Sequence, residues 1–149
     1  MVSKQELKSI SLDKLHSAQV LFKSKKYDTS IYIVGYAIEL ALKYKICKIL
    51  KLEIGFPENK LEFENYILDK GNDLGIEIKN LRDIRNHNLQ KLLYYSGQEY
   101  TIKSQFLDEW TSISFWYPEL RYKSNYGNKE LNKILITSVE KVLNLIFKL

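Results

Sequence analysis

The sequence contains few of the residues that build metal sites and disulfide frameworks. Its 149 residues include one cysteine, Cys47, and two histidines, His16 and His87. A single cysteine cannot form an intrachain disulfide, and it excludes a cysteine-rich zinc site. The sequence has no glycine-rich phosphate loop and no cluster of His, Asp and Glu at metal-ligand spacing. We therefore expect neither a metal nor a cofactor.

Proline and glycine are also scarce, with two and six residues. This scarcity favours helices over a turn-rich all-β fold. The chain lacks the run of about 20 apolar residues that spans a bilayer, and no apolar run follows Met1. With 45% hydrophobic and 28% charged residues, its composition is typical of a globular protein. We expect one domain over residues 1–149 that is cytoplasmic and makes no membrane contact.

Arginine is much rarer than lysine in this basic chain. The formal net charge is +5, and the only arginines are Arg82, Arg85 and Arg121. A positive charge permits contact with nucleic acid or another polyanion, although the abundance of Lys, Ile, Asn and Tyr is also typical of an AT-rich genome. Arginine binds phosphate in a bidentate manner, so these three positions are the first candidates for ligand contact.

One stretch, residues 31–42, is apolar on every side and carries a single charge, Glu39. A helix that is apolar nearly all round is buried among other helices. Gly35 costs about 1 kcal/mol relative to alanine inside a helix, so close packing is the expected reason for it. Glu39 and Lys43 have the spacing of a helical ion pair, and the alternative for Glu39 is a polar contact to a ligand or partner. The stretch predicts an all-α antiparallel bundle of four to six helices around a central apolar helix.

The N-terminal half predicts a helical hairpin. Ser3 and Glu6 fit a capping box that opens the first helix. After a short turn, Asp28 is the predicted N-cap of the central helix, and so short a connection implies antiparallel neighbours. The central helix is expected to end before Gly55 and Pro57, because proline cannot continue a helix.

The C-terminal half predicts several further helices. A short helix over residues 61–70 ends at Gly71, and residues 72–85 are irregular chain or a short helix. Asn86 is the predicted N-cap of a helix that Gly97 ends. One longer helix covers residues 101–117, before Pro118. The predicted buried face of the last helix consists of Leu131, Ile134, Leu135, Ser138, Val142 and Ile146.

Aromatic residues are concentrated before Pro118, at Phe106, Trp110, Phe115, Trp116 and Tyr117. This set is too rich for one helix face. Some of these side chains are therefore expected at the surface, which favours an interface. The alternative is that all of them belong to the core.

Three local patterns occur in order along the chain. The run Ala-Ile-Glu-Leu-Ala-Leu-Lys at residues 37–43 resembles the "A-x-E-x-A-L-K" helix of the HEPN family, the higher eukaryotes and prokaryotes nucleotide-binding domains. His87-Asn-Leu resembles the family's "H-[DN]-L" helix start. Arg121-Tyr122 resembles its "R-Y-P", with Lys123 in place of the proline. The resemblance covers nearly the whole chain and implies an all-α bundle that forms a homodimer.

The resemblance also implies a function. It indicates a nucleotide- or RNA-associated binding module, acting beside a nucleotidyltransferase-like partner in a bacterial toxin–antitoxin or defence-type pair. The candidate ligand-binding residues are Arg85, Asn86, Arg121 and Tyr122. Arg121 and Tyr122 would place a guanidinium and a stackable ring at a phosphate-bearing ligand, and the alternative is a structural anchor.

Other HEPN members are metal-independent ribonucleases with an Arg-x(4–6)-His motif, and Arg82 and His87 match that spacing. His87 would act as the acid or base and Arg82 would bind the phosphate. Against this, positions five apart diverge by about 140° on an ideal helix, and the resemblance assigns His87 to a helix start, where it caps or packs. We therefore favour a binding and partner role over catalysis. The first alternative is an endoribonuclease using Arg82 and His87 across a dimer interface, and the second is a non-catalytic protein-interaction domain.

Overall fold

The computed structural model describes residues 1–70 and 78–149, with side chains for all of these except 66–70. This part of the chain contains no β-strand, and an isolated bridge joins Val2 to Phe56. Two 3₁₀ turns occur, at Leu81–Asp83 and Pro118–Tyr122. The α-helices of the described residues are α1 (Lys4–Lys23), α2 (Tyr27–Ile49), α3 (Lys60–Lys70), α4 (Leu89–Tyr95), α5 (Glu99–Gln105), α6 (Leu107–Ile113) and α7 (Lys129–Phe147). The predicted all-α class is confirmed.

The central helix is confirmed as α2, which contacts α1, α4 and α7. Its buried side chains lie on several sides, as the apolar run predicts. Its buried residues are Ser30, Ile31, Val34, Gly35, Ala37, Ile38, Glu39, Ala41, Leu42, Lys43, Ile46 and Cys47.

Helices α1 and α2 form the predicted antiparallel hairpin. The capping box of Ser3 and Glu6 opens α1, as expected. The Ser11 hydroxyl donates to the Ala37 carbonyl at 2.6 Å, and the Ser30 hydroxyl donates to the Ala18 carbonyl at 2.7 Å. Because the earlier residue of α1 meets the later residue of α2, the two helices run in opposite directions.

Helix α7 packs along α2 in the same direction. The Asn132 amide donates to the Ser30 hydroxyl at 2.9 Å near the start of both helices, and Tyr44 contacts Phe147 near their ends. The predicted buried face of α7 was partly wrong, because Leu131 is 41% exposed and Ile134 is 52% exposed. The face is rotated toward the residues that contact α1, α2 and α6. Its buried residues are Asn132, Leu135, Ile136, Ser138, Val139, Val142, Leu143, Ile146 and Phe147.

Two predicted N-caps were wrong. Asp28 lies inside the first turn of α2, and its carboxylate accepts the backbone N–H groups of Asn125 and Gly127 at 2.6 and 2.7 Å. The N-cap of α4 is Asn88, whose side chain accepts the Lys91 N–H, and not Asn86. Asp28 and Asn86 both have short side chains that accept hydrogen bonds and suit an N-cap. Asp28 instead binds the backbone of a distant loop, and Asn88 caps α4 in place of Asn86.

The helix predicted over residues 101–117 is two helices. Phe106 has φ −135° and ψ 43°, which are not helical angles, and it separates α5 from α6. This break raises the number of α-helices in the described residues above the predicted four to six. Trp110 and Trp116 are buried, whereas Phe115 is 74% exposed, so the expectation that part of this aromatic set reaches the surface is confirmed.

The predictions for the middle of the chain are confirmed only in part. Helix α3 matches the predicted short helix, and Phe63 on it is buried. The predicted C-cap Gly71 and residues 72–77 of the stretch predicted as irregular chain or a short helix lie outside the described residues. The described part of that stretch, residues 78–85, contains the 3₁₀ turn Leu81–Asp83. Within residues 1–70 and 78–149, no helix combines the length and the apolar character needed to cross a membrane.

Candidate functional site

The candidate site is an open cleft with a volume of about 570 Å³, which we call the His87 cleft. Helix α2 supplies one wall, the segment that leads into α4 supplies the second, and the segment around the 3₁₀ turn Pro118–Tyr122 supplies the third. The lining residues are Tyr36, Asn86, His87, Asn88, Leu89, Gln90, Ser114, Trp116, Tyr117, Pro118, Glu119 and Arg121.

The imidazole of His87 contacts a buried carboxylate, which fixes its orientation. Its Nδ1 lies 2.9 Å from Glu39 Oε2, and the other oxygen of Glu39 accepts from Lys43 Nζ at 2.8 Å. The Glu39 side chain is 3% exposed, whereas that of His87 is 57% exposed. A carboxylate only accepts hydrogen bonds, so Nδ1 carries a proton and Nε2 is the ring nitrogen left for a ligand. The predicted Glu39–Lys43 ion pair is confirmed, and it neutralises a charge that would be costly to bury alone.

An aromatic cluster supports the imidazole. Tyr36 packs edge-on against both His87 and Trp116, with ring centroids 6.1 and 5.2 Å apart. Burial, and then the hydrogen bond with Tyr32, raises the pKa of Tyr36 to about 12, so the phenol stays neutral. The Trp116 indole N–H donates to the Tyr32 carbonyl at 3.0 Å, and its ring lies directly on Gly35. The predicted close packing at Gly35 is therefore confirmed, and a side chain fills the space.

Arg121 contributes a cation to the third wall of the cleft. It lies on the 3₁₀ turn Pro118–Tyr122, with its guanidinium 4.7 Å from the centre of the Tyr122 ring. Hydrogen bonds to Tyr32 and then to Tyr122 raise the pKa of Arg121, so it stays charged. The Tyr122 ring is largely exposed beside it. Among the residues that the structure describes, no carboxylate pairs with Arg121, so an anion could bind it without breaking an ion pair there.

The predicted site residues line two separate clefts, except Tyr122, which lines neither. Arg82 and Arg85 line a second cleft of about 580 Å³, which we call the basic cleft, and they do not line the His87 cleft. Asn86 lines the His87 cleft, but its amide is committed to the backbone, since it donates to the carbonyls of Arg82 and Asp83 at 3.0 Å. The basic cleft is lined by Lys60, Phe63, Glu64, Lys79, Asn80, Leu81, Arg82 and Arg85. The catalytic pairing of Arg82 with His87 stays a prediction.

Sequence reasoning missed the contact between Glu39 and His87, which are 48 residues apart. The signal for it was the one charge in the apolar stretch, which needs a partner when buried. It also missed Tyr36 and Trp116 as walls of the cleft. In the described ranges, no group of three or more His, Cys, Asp or Glu side chains is placed to hold a metal ion.

A comparison with protein-family models finds one for the HEPN domain, matched by residues 5–55. Neither the curated proteins nor the solved structures contain a match. The matched range covers α1 and α2, including Glu39 and Lys43, and ends before His87. The match confirms the predicted resemblance to the HEPN family on the helical hairpin that carries the buried half of the candidate site.

Proposed function

We propose that this chain is a nucleotide- or RNA-associated binding module whose ligand occupies the His87 cleft. One observation carries the proposal: the imidazole of His87 and the guanidinium of Arg121 line the same open cleft. The HEPN match supports a nucleotide- or RNA-associated role in general terms.

The chemistry of the cleft fits a phosphate-bearing ligand with a flat base. Arg121 presents a forked cation that matches phosphate oxygens, and Nε2 of His87 adds a second polar contact. The ring of Tyr117 lines the same cleft, and that of Tyr122 lies beside Arg121. Exposed aromatic rings of this kind stack on nucleobases.

Binding of ATP, AMP and short RNA by calorimetry tests the proposal. Arg121→Gln and His87→Gln should each weaken binding by roughly tenfold, because each removes a hydrogen bond to a charged group. Lys26→Gln is the matched control, since it removes one exposed charge that lines neither cleft. Wild-type protein that binds none of these ligands, or an Arg121 variant that binds as tightly as the control, would refute the proposal.

We further propose a homodimer that works beside a nucleotidyltransferase-like partner in a toxin–antitoxin or defence-type pair. The family resemblance suggests this, and exposed apolar side chains such as Phe115, Leu107 and Ile134 are consistent with protein contacts. Light scattering that returns only the 17.6 kDa monomer would contradict the dimer. Failure to co-purify with any nucleotidyltransferase-like protein of the same genome would contradict the pair.

The second candidate function is a metal-independent endoribonuclease. The observation that favours it is the carboxylate-held imidazole of His87, which is the arrangement of a general acid or base. Arg82 lines the neighbouring cleft, so a second copy of the chain would have to bring it to the imidazole. RNA cleavage in EDTA that is lost in both Arg82→Ala and His87→Ala would establish this function. Intact RNA in all samples would leave the binding module or a purely protein-binding domain.

A further inference from the structure

Several polar side chains that line the His87 cleft are committed to contacts within the protein. The Asn86 amide donates to two backbone carbonyls at 3.0 Å. The Gln90 side chain donates to Glu99 at 3.1 Å and accepts the Trp110 indole N–H at 3.4 Å. The Ser114 hydroxyl donates to a backbone carbonyl three residues earlier at 2.7 Å. These groups shape the cleft, and they leave few hydrogen-bonding positions for a ligand.

Glu119 lines the same cleft and differs from these residues. Within residues 1–70 and 78–149, its carboxylate takes part in no ion pair or hydrogen bond, and the residue is exposed. It lies on the 3₁₀ turn Pro118–Tyr122, two positions before Arg121. Positions two apart on such a turn point about 120° away from each other, which agrees with the lack of an ion pair between the two side chains. The cleft therefore offers a ligand a cation and a separate carboxylate.

This carboxylate limits what the proposed ligand can be. A carboxylate repels a phosphate, and it only accepts hydrogen bonds. A nucleotide in the cleft therefore keeps its phosphate at Arg121 and presents hydrogen-bond donors to Glu119. The ring of Tyr117, which is suited to stacking on a base, lies on the same wall as Glu119. The edge of that base is the natural source of the donors.

The four bases of RNA differ in the donors on the edge that they use for base pairing. Guanine has a ring N–H next to an amino group, so its two adjacent donors match the two oxygens of a carboxylate. Adenine and cytosine have an amino group next to a ring nitrogen that accepts, and uracil has one N–H between two carbonyl oxygens. Each of these three bases would place an acceptor against the carboxylate.

We propose that the His87 cleft selects guanine nucleotides and that Glu119 sets this preference. The inference rests on the proposed function and names the class of its ligand. The carboxylate accepts from the base, while Arg121 binds the phosphate. Discrimination therefore depends on a side chain that makes no contact with the phosphate.

Calorimetric titration with GMP, IMP, AMP and 2′-deoxy-GMP tests this preference. IMP keeps the ring N–H of guanine and lacks its amino group. Wild-type protein should bind GMP roughly tenfold more tightly than AMP, with IMP between them, and should bind 2′-deoxy-GMP like GMP. Glu119→Gln should weaken GMP binding by roughly tenfold and leave AMP binding unchanged or tighter, because it removes a charge that repels phosphate. A general effect on packing would instead shift the affinities for all four nucleotides together.

The matched control is Glu53→Gln, which removes an exposed carboxylate beyond the end of α2 and lines neither cleft. It should keep the preference, and thermal melts should find both variants folded. The proposal is overturned if wild-type protein binds GMP and AMP equally, or if Glu119→Gln keeps the preference. It is also overturned if 2′-deoxy-GMP binds about tenfold more weakly than GMP and Glu119→Gln abolishes that difference, since Glu119 would then accept from the ribose. Failure of the proposed function looks different: no nucleotide would bind, or Arg121→Gln would bind GMP as tightly as Glu53→Gln.

Discussion

Replacement of Gly35 by alanine has two opposing effects, one on the intrinsic stability of the helix and one on the packing around it. Alanine stabilises a helix interior by about 1 kcal/mol relative to glycine, so an isolated α2 would gain from Gly35→Ala. In the protein, a Cβ at this position would overlap the indole ring of Trp116 at Cε2, Nε1 and Cδ2. The ring would have to move, and it is buried with its N–H bonded to Tyr32.

The expected net effect is a loss of stability. Overpacking in a core costs about 2 kcal/mol, and weakening the hydrogen bond between Trp116 and Tyr32 adds about 1 kcal/mol. Subtracting the helix gain of about 1 kcal/mol leaves a loss of about 2 kcal/mol. For a chain of this length, the melting temperature should fall by roughly 6 °C.

Urea and thermal unfolding of Gly35→Ala measure the effect, with Trp116→Ala as the partner in a double-mutant cycle. The indole is absent in that background, so Gly35→Ala should become neutral or stabilising there. The proposed binding of nucleotide should weaken as well, because Trp116 supports Tyr36, which packs on His87. If Gly35→Ala stabilises the otherwise wild-type protein by about 1 kcal/mol, the reasoning is wrong.

Three further outcomes follow from buried or half-buried ionisable groups. Glu39→Ala should lower the free energy of unfolding by about 3–5 kcal/mol, because it leaves Lys43 charged, buried and unpaired. The double variant Glu39→Ala/Lys43→Met should regain much of that stability, as measured by chemical denaturation. The pKa of Tyr36 is raised from 10.0 to about 12 by burial, so its contribution to stability is complete below pH 10 and is lost as the pH rises toward 12. Between pH 10 and 12, the free energy of unfolding should therefore change less with pH in Tyr36→Phe than in the wild type. Burial raises the pKa of Cys47 to about 12, so a thiol reagent should label it only after unfolding, and rapid labelling of the native protein would contradict its burial.

Local patterns predicted the elements whose causes are local. The capping box of Ser3 and Glu6 and the ion pair of Glu39 with Lys43 join residues three and four apart, and both are present. The apolar run of α2 needed no knowledge of its neighbours, since a helix apolar on all sides has to be buried wherever it lies. The all-α class follows from these short-range signals together with the scarcity of proline and glycine.

Predictions were wrong where several residues could fill the same role. Asn86 and Asn88 are both capable N-caps, and only the path of the chain decided between them. Asp28 fits an N-cap by type, yet it binds the loop at residues 125–127, about 100 positions away. The break at Phe106 has no proline or glycine to mark it, so helical periodicity alone continued through it.

The sequence by itself determined the helical class, the central helix and the chemical types available for a site. Only the tertiary structure decided which of them meet. It set His87 against Glu39 and in the same cleft as Arg121, and it placed Arg82 and Arg85 in a separate cleft. The physical reason is that helix periodicity is a property of adjacent residues. Convergence of side chains depends instead on where the connections between helices lead, and no local pattern encodes that path.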